Sequence, residues 1–332
     1  MSGAASRLRS DLNSARRRVR VAYRGGMARR LSSFQTLALW TTATTYFLIL
    51  VGGLVRASGA GLGCPDWPRC FGSWIPPASA AELPAGFEPS QFNPTLMWTE
   101  YLNRLLGVTV GFLILATVVS AWRHHRHTPR ILWPTVAAFV LVGFQGWLGG
   151  VVVQHELASW IVTVHLIVAL VIVSLLLYST VYAFSPGTAT PTPSRRFLVR
   201  SSMALIALTL VQVGLGTQVR GGVDAALDRG VARHDALATV GAADFWHRDL
   251  ALAVMVGAIT IVWLAWSRHR HDAALMRAAG LMAILVGVQV ALGISMAYMT
   301  LTPAAQVAHL TISSLLLGAE TVLALLASRT KS

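Results

Sequence analysis

The segment Asp244-Phe245-Trp246-His247-Arg248 opens a long apolar run that continues to about Trp266. His247 lies just inside that run, where a side chain faces hydrocarbon or protein interior. Ionisable side chains at membrane depth are costly and usually functional. A second histidine, His309, lies near the start of the next apolar run that would cross the membrane in the same direction. We interpret the rest of the chain as a scaffold that brings these two imidazoles to one depth and repeats the arrangement once.

Composition places the chain among membrane proteins. Of its 332 residues, 55% are hydrophobic and only 12% are charged, and the mean hydropathy is +0.60. A helix of about 20 apolar residues crosses a bilayer, and the sequence contains eight such runs. We therefore predict an all-α polytopic membrane protein with eight transmembrane helices, at about 34–56, 98–121, 131–153, 158–183, 198–219, 244–266, 274–297 and 303–327.

The net charge of +14 would suggest a nucleic-acid partner in a soluble protein, but its distribution indicates membrane topology. Twenty of the 27 basic residues lie in the two tails and in the connections 123–130, 195–200 and 268–277, whereas the alternate connections carry ten carboxylates. Loops rich in Lys and Arg stay in the cytoplasm. We expect both termini to be cytoplasmic, no nucleic-acid partner, and an arginine-rich N-terminal tail that is disordered or lies against anionic lipid.

The second half of the chain repeats motifs of the first half in the same order. Four helices per half is an even number, so both halves enter from one side as parallel repeats. We predict two four-helix bundles, 34–184 with an outer loop at 57–97 and 198–327, joined by a linker at 185–197 and flanked by tails at 1–33 and 328–332. The matched pairs are Arg56 with Arg220, Glu100-x-x-Asn103-Arg104 with Asp244-x-x-His247-Arg248, Gln145 with Gln289, and His165 with His309.

Three histidines lie at one depth, near the outer ends of their helices: His165, His247 and His309. A packed core histidine is the alternative for any one of them, but three in a symmetric repeat favour ligands. Zinc requires three or four ligands grouped tightly, whereas haem takes one or two axial imidazoles from facing helices. The pattern therefore favours haem. Four neighbouring arginines either pair with its propionates or snorkel to the interface: Arg56, Arg104, Arg220 and Arg248.

The first half departs from the repeat at Asn103, which stands where symmetry calls for histidine. A neutral amide is a poor iron ligand, so we expect no plain bis-histidine haem in this half. Glu100 lies on the same helix face, three residues away. It either interacts with the helix dipole or acts as a general acid/base or charge stabiliser beside a reacting group.

The chain has two cysteines, Cys64 and Cys70, and both lie in the long outer loop. On the oxidising side of a membrane, disulfides persist. The pair is either a structural staple or a redox-active couple, and the second role requires a strained or exposed disulfide.

With these residues in hand, the chain resembles the haem A synthase family over nearly all of its length after the first thirty residues. The resemblance implies two four-helix bundles in a bacterial-type cell membrane and oxidation of the C8 methyl of the substrate haem O to the formyl of haem A. It also implies a b-type haem cofactor on His247 and His309, substrate haem near His165, Glu100 as the catalytic carboxylate, a Cys64–Cys70 disulfide, and haem O synthase as a possible partner. The motifs that carry the resemblance are Gly52-Gly53-Leu54-Val55-Arg56-Ala57-Ser58-Gly59, Gly63-Cys64-Pro65-Asp66-Trp67-Pro68, Glu100-x-x-Asn103-Arg104, Gln145-Gly146-x-Leu148-Gly149, His165, His247-Arg248 and His309.

The family motif normally runs Glu-x-x-His-Arg, so Asn103 leaves the substrate haem with His165 as its single expected imidazole ligand. Two other functions fit parts of the pattern. One is a haem-binding electron carrier that passes electrons between quinol and a partner and leaves haem chemically unchanged. The other is a parallel-repeat transporter whose histidines relay protons. Transporters usually have helices broken at mid-membrane, whereas the polar residues here lie near one end.

Overall fold

The computed structural model describes residues 31–184, 192–299 and 301–329, so the tail before Leu31 and most of the predicted linker lie outside the described residues. Within those ranges the fold is all-helical, and eight helices are long and apolar enough to cross a membrane. This finding confirms the predicted fold class. The helices are α1 Ser33–Ala57, α2 Pro94–His125, α3 Pro129–Gln154, α4 Ser159–Phe184, α5 Pro193–Asp228, α6 Ala242–His269, α7 Ala273–Tyr298 and α8 Pro303–Ala327.

Two helices begin earlier than the apolar runs alone predict. Asn93 accepts hydrogen bonds from two backbone N–H groups of the first turn of α2, and Pro94 occupies the first helical position. Thr192 and Pro193 start α5 in the same way. A capping oxygen satisfies N–H groups that the helix itself cannot, and proline loses nothing there. Helix α5 also continues past the predicted end at 219, and its 36 residues make it about 54 Å long.

We call one end of the helices the loop end; there α1, α3, α5 and α7 finish and α2, α4, α6 and α8 begin. The predicted outer loop at 57–97 is observed as residues 58–93, with three short 3₁₀ turns. The connection from α5 to α6 holds a one-turn helix, Arg233–Ala236, and another 3₁₀ turn. These two connections cover the part of the protein where the predicted site residues lie.

Residues from both predicted halves share a core. One buried cluster joins Ile49 of α1, Leu170 and Val173 of α4, Val213 of α5 and Leu317 of α8. Burial of large aliphatic side chains contributes about 1.5–3 kcal/mol each, although within a bilayer the gain comes from packing more than from leaving water. Helix α4 therefore packs against α5 and α8 of the other half as well as against α3.

At the opposite end of the helices, one arginine ties three segments together. Arg195 of α5 forms an ion pair of 2.6 Å with Asp272, which caps α7, and donates to the carbonyl of Leu326 at 3.2 Å. Burial raises the pKa of Asp272, but hydrogen bonds from Arg195 and from the backbone of Leu275 outweigh it, so the net pKa lies below the usual value. The charged carboxylate is the form that this clamp stabilises.

Large apolar side chains cover the outward faces of the helices. Such a surface would aggregate in water, but it suits contact with lipid acyl chains, where an α-helix satisfies its backbone hydrogen-bonding groups internally. Exposed aromatic side chains on the spans include Trp40 at 67%, Phe112 at 67%, Trp133 at 64% and Trp263 at 58%.

Candidate functional site

The two second-half histidines face each other between α6 and α8. The ring centroids of His247 and His309 lie 6.4 Å apart, with 63° between the ring planes. Each Nδ1 atom is buried and has no hydrogen-bond partner among the described residues. Gln212 of α5 donates to the backbone carbonyl of His247 at 2.8 Å and so fixes the helix turn that carries this ring. The matched depth predicted from the sequence therefore brings the two imidazoles together.

Glycines make room for these rings. A Cβ atom at Gly216 of α5 would meet Cε1 of His247 at 3.1 Å, and one at Gly293 of α7 would meet Cε1 of His309 at 3.5 Å. Any larger residue at Gly216 would press on the imidazole. The helices on either side thus define the ring positions through close backbone approach.

The donor set fits a haem iron better than a bare metal ion. A centroid separation of 6.4 Å leaves space for one metal ion held by two imidazole bonds of about 2 Å each. Across residues 31–184, 192–299 and 301–329, no group of three or more His, Cys, Asp or Glu side chains could hold a metal ion. Two facing imidazoles with four remaining positions supplied by a macrocycle match axial haem ligation.

The first half has one histidine in the equivalent place. Gln145 of α3 donates to the backbone carbonyl of His165 at 2.7 Å, and a Cβ atom at Gly149 would lie 3.7 Å from Cε1 of the ring. Nδ1 of His165 and Oδ1 of Asn103 are both buried without a partner among the described residues. The polar atoms that the first half would offer a ligand are therefore one imidazole and one amide.

Two glycines at equivalent positions of the repeat, Gly52 and Gly216, have different surroundings. Gly52 precedes Arg56 by four residues, and Gly216 precedes Arg220 by four residues. The two glycines are therefore equivalent in the repeat. A Cβ atom at Gly52 would meet nothing within 4 Å, whereas the one at Gly216 would contact His247. In the repeat Asn103 corresponds to His247, and a shorter side chain at position 103 is consistent with the open space at Gly52.

Glu100 and Arg104 engage the outer loop instead of standing free in the helix bundle. Glu100 is 4% exposed; its carboxylate accepts from the backbone N–H of Cys64 at 2.8 Å and from Nε of Arg104 at 3.1 Å. Arg104 donates to the carbonyls of Asp66 at 2.7 Å, Arg69 at 2.8 Å and Cys64 at 3.2 Å. The sequence pattern indicated neither this ion pair nor its contacts with the loop.

The cysteine loop is tightly docked on this pair. The Sγ atoms of Cys64 and Cys70 are at disulfide distance, and both residues are fully buried. The carboxylate of Asp66 accepts from the backbone N–H groups of Phe71 at 2.6 Å and Gly72 at 2.9 Å. These contacts give the loop a fixed shape over the start of α2.

Trp67 anchors the same loop on α3. The guanidinium carbon of Arg104 lies 5.0 Å from the centroid of the Trp67 ring, a cation–π contact. On α3, a Cβ atom at Gly150 would meet Cδ1 of the indole at 2.4 Å. Only glycine at that position lets the indole approach the helix so closely.

The other predicted arginines also have carboxylate partners. Arg248 pairs with Asp244 one turn earlier at 2.7 Å and lies 5.8 Å from the ring of Tyr298. Arg220 pairs with Asp224 at 2.7 Å, and Arg56 reaches the same carboxylate at 3.2 Å. Sequence reasoning did not single out Asp224, although its position one turn after Arg220 was a visible signal for a helical ion pair.

A second residue that the sequence reasoning missed is Glu320, in the middle of α8. Its side chain is fully buried, one carboxyl oxygen accepts from Thr209 of α5 at 3.0 Å, and the other has no hydrogen-bond partner among the described residues. The repeat-equivalent residue in the first half is Leu176. A carboxyl inside an apolar run was the signal that could have found it.

Residues 35–321 match the COX15-CtaA family, described as cytochrome oxidase assembly protein. The chain belongs to this family. The match covers well over half of the chain and includes every site residue predicted from the sequence, which confirms the family resemblance that the motifs indicated.

Curated proteins named haem A synthase are similar to the chain. The one from Allorhizobium ampelinum is 29% identical over 59% of this chain and 60% of that protein, and the one from Rhizobium etli is 29% identical over 56% and 57%. The one from Alkalihalophilus pseudofirmus is 26% identical over 91% of this chain and 99% of its own length. The chain thus spans about three-fifths of the first two relatives and nearly all of the third.

We expect Cys64 and Cys70 to be joined in protein isolated without reductant, because both sulfur atoms are buried side by side in a docked loop. Since the chain has two cysteines, thiol alkylation followed by mass spectrometry gives an unambiguous answer. The expected result is no labelling in unfolded, unreduced protein and two labels after reduction. Two freely labelled thiols under oxidising conditions would contradict the bond.

Proposed function

We propose that the chain is a haem A synthase that oxidises the C8 methyl of haem O to the formyl of haem A for cytochrome oxidase biogenesis. The observation that carries the proposal is the facing pair His247 and His309 in a chain of the COX15-CtaA family. The relatives named haem A synthase support the same reaction. Chromatography of haem extracted after co-expression with haem O synthase tests it: haem A should appear, and unchanged haem O would indicate an electron carrier instead.

We propose further that the two predicted halves divide the work. His247 and His309 of the second half (198–327) hold a b-type haem, which would supply one-electron transfer when bound. The first half (34–184) holds the substrate through His165, and Asn103 leaves the opposite face of that substrate open. Among the described residues the eight membrane-length helices are continuous, and the histidines assigned as ligands lie near the loop end. Both features favour this assignment over a transporter, whose spans are usually broken.

Glu100 has two roles in this proposal. Its carboxylate fixes the backbone of Cys64 and the guanidinium of Arg104, and so keeps the loop closed over the end of the first half. Oxidation of a methyl group at the macrocycle edge builds positive charge there, and a fixed carboxylate in a water-poor site stabilises such charge. Arg56, Arg104, Arg220 and Arg248 lie near the loop end, where haem propionates would reach water.

The Cys64–Cys70 pair is best assigned the role of a structural staple. A redox-active couple needs a sulfur that a partner can reach, whereas both cysteines are fully buried under the side chains of Phe71, Met97 and neighbours. We place the protein in a bacterial-type plasma membrane with both termini in the cytoplasm, as the basic connections favour. The loop end, with its disulfide, then faces the oxidising side.

Replacing either His247 or His309 with alanine should abolish the low-spin b-type spectrum, because each ring would supply one of two axial ligands. Reduced-minus-oxidised spectra of the purified variants measure the effect. His155→Ala is the matched control, since that histidine lies exposed at the end of α3, and it should leave the spectrum unchanged. Retention of the parent spectrum in both single variants would contradict the assignment of His247 and His309 as haem ligands.

Two substitutions at Glu100 separate its charge from its contacts. Glu100→Gln keeps an oxygen that can accept from Cys64 but removes the negative charge, whereas Glu100→Ala removes both. We expect haem A formation to fall by about 100-fold or more in both variants, while only Glu100→Ala loosens the loop and exposes Cys64–Cys70 to reductant. Glu88→Gln, at an exposed loop position, serves as the control. Haem A production at the parent rate in Glu100→Gln would remove the catalytic role.

Asn103→His should create a second bis-histidine site. The open space beside Gly52 can accept the larger ring, and His165 would supply the opposite ligand. With haem supplied, pyridine haemochrome analysis should give about one additional haem per chain and a larger low-spin signal. A variant that folds, binds the second-half haem and gains no further low-spin haem would show that the first-half pocket is built differently.

A further inference from the structure

Asp224 connects the two predicted halves through a shared oxygen atom. Its Oδ2 accepts from Nη2 of Arg56 at 3.2 Å and from Nε of Arg220 at 3.1 Å, while Oδ1 lies 2.7 Å from Nη2 of Arg220. Arg56 ends α1 of the first half, and Arg220 belongs to α5 of the second half. One carboxylate thus fixes two arginines that the internal repeat places at equivalent positions.

The repeat itself explains why the carboxylate is shared. Arg56 precedes Arg220 by the same interval as Ala60 precedes Asp224. The first half therefore has a buried alanine where the second half has its carboxylate, and Arg56 must reach across to the other half for an acidic partner. This contact forms only when α1 and α5 are assembled side by side.

The trio carries a surplus positive charge in a partly buried place. Two guanidinium groups face one carboxylate, and the side chains of Arg56, Arg220 and Asp224 are 18%, 20% and 32% exposed. Nε of Arg56 is buried and has no hydrogen-bond partner among the described residues. A carboxylate ligand would balance the charge and could accept from the remaining guanidinium donors.

We propose that Asp224 is a positioning residue that aligns Arg56 and Arg220 as one anion site at the loop end, suited to a propionate carboxylate, and that it couples the two halves electrostatically. The proposal rests on the assignment of haem to the second half. When either arginine is removed, Asp224 pairs with the other arginine alone. A change at Arg56 in the first half therefore alters the electrostatic potential at the haem of the second half. Loss of Asp224 releases both arginines at once.

Spectropotentiometric titration of the second-half haem tests the role of Asp224. Asp224→Asn removes a negative charge and should favour the reduced haem by about tenfold at a given potential, a rise of 59 mV. Asp228→Asn is the matched control, because it removes the same charge one turn further along α5 at an exposed position. Asp228→Asn should change the ratio of reduced to oxidised haem at a given potential by less than about twofold. Equal shifts in the two variants would overturn the proposal.

A double-mutant comparison tests whether Arg56 and Arg220 share the Asp224 carboxylate. Arg56→Gln should favour the oxidised haem of the second half several-fold in the parent protein, because Asp224 then neutralises Arg220 alone. The same change should have a much smaller effect in the Asp224→Asn background, since non-additivity reports a direct coupling. Equal effects of Arg56→Gln in both backgrounds would refute a shared carboxylate.

If Asp224→Asn does not yield folded protein, the single arginine variants still decide the matter. Arg56→Gln must then change the ratio of reduced to oxidised haem at a given potential several-fold, whereas Arg229→Gln, at the exposed C-cap of α5, must not. Equal shifts in these two variants would overturn the coupling. A parent protein that binds no low-spin haem would overturn the proposed function along with this inference, whereas normal haem with an unshifted Asp224→Asn titration overturns the inference alone.

Discussion

A polar side chain within a membrane span must find its partner inside the protein, because hydrocarbon offers no hydrogen bonds. Most hydroxyl groups here meet that constraint locally. Thr42 donates to the carbonyl of Ala38 at 2.7 Å, and Thr45 to that of Thr41 at 2.7 Å. The imidazoles of the candidate sites do not, and each retains a buried nitrogen without a partner among the described residues. Buried polar atoms without a partner among the described residues also occur at Thr180, Gln306 and Glu320, so the site is identified by the facing imidazoles of His247 and His309 together with this unmet capacity.

The same constraint explains how much of the molecule could be predicted from the sequence. Eight apolar runs and the repeated His, Gln and Arg positions gave the number of helices and the pairing of His247 with His309, because depth along a helix follows directly from residue spacing. The N-caps at Asn93 and Thr192 are also signals in the sequence, but the apolar runs alone begin several residues after them. Helix α5 was consequently predicted to be shorter at both ends.

What spacing could not predict were contacts between segments distant in sequence. The i, i+4 spacing of Glu100 and Arg104 is typical of a helical ion pair, but nothing local indicated that Arg104 also donates to three loop carbonyls. The bond from Thr209 to Glu320 is of the same kind. In each case a side chain with several donors or acceptors has more than one possible partner, and only the packed helices select among them.

The two halves have diverged around a common frame, and the glycines show where. Gly149 and Gly293 occupy equivalent positions, and each lies beside a histidine ring of the neighbouring helix. The next residue differs: Gly150 in the first half gives space to Trp67 of the loop, whereas the second half has Ile294, an exposed residue. At this position the first half receives the loop, whereas the second half holds a pair of facing imidazoles.

This divergence gives the shared Asp224 its place in the architecture. Glu100–Arg104, Asp244–Arg248 and Arg220–Asp224 are pairs within one helix, so each can form as soon as its helix does. Arg56–Asp224 joins α1 to α5 and requires the two halves to be packed together. Because a partly buried arginine without a counter-charge is costly, the missing acid at Ala60 makes the first half depend on the second. The two candidate sites of the predicted repeat therefore differ in their polar side chains but share one carboxylate, that of Asp224.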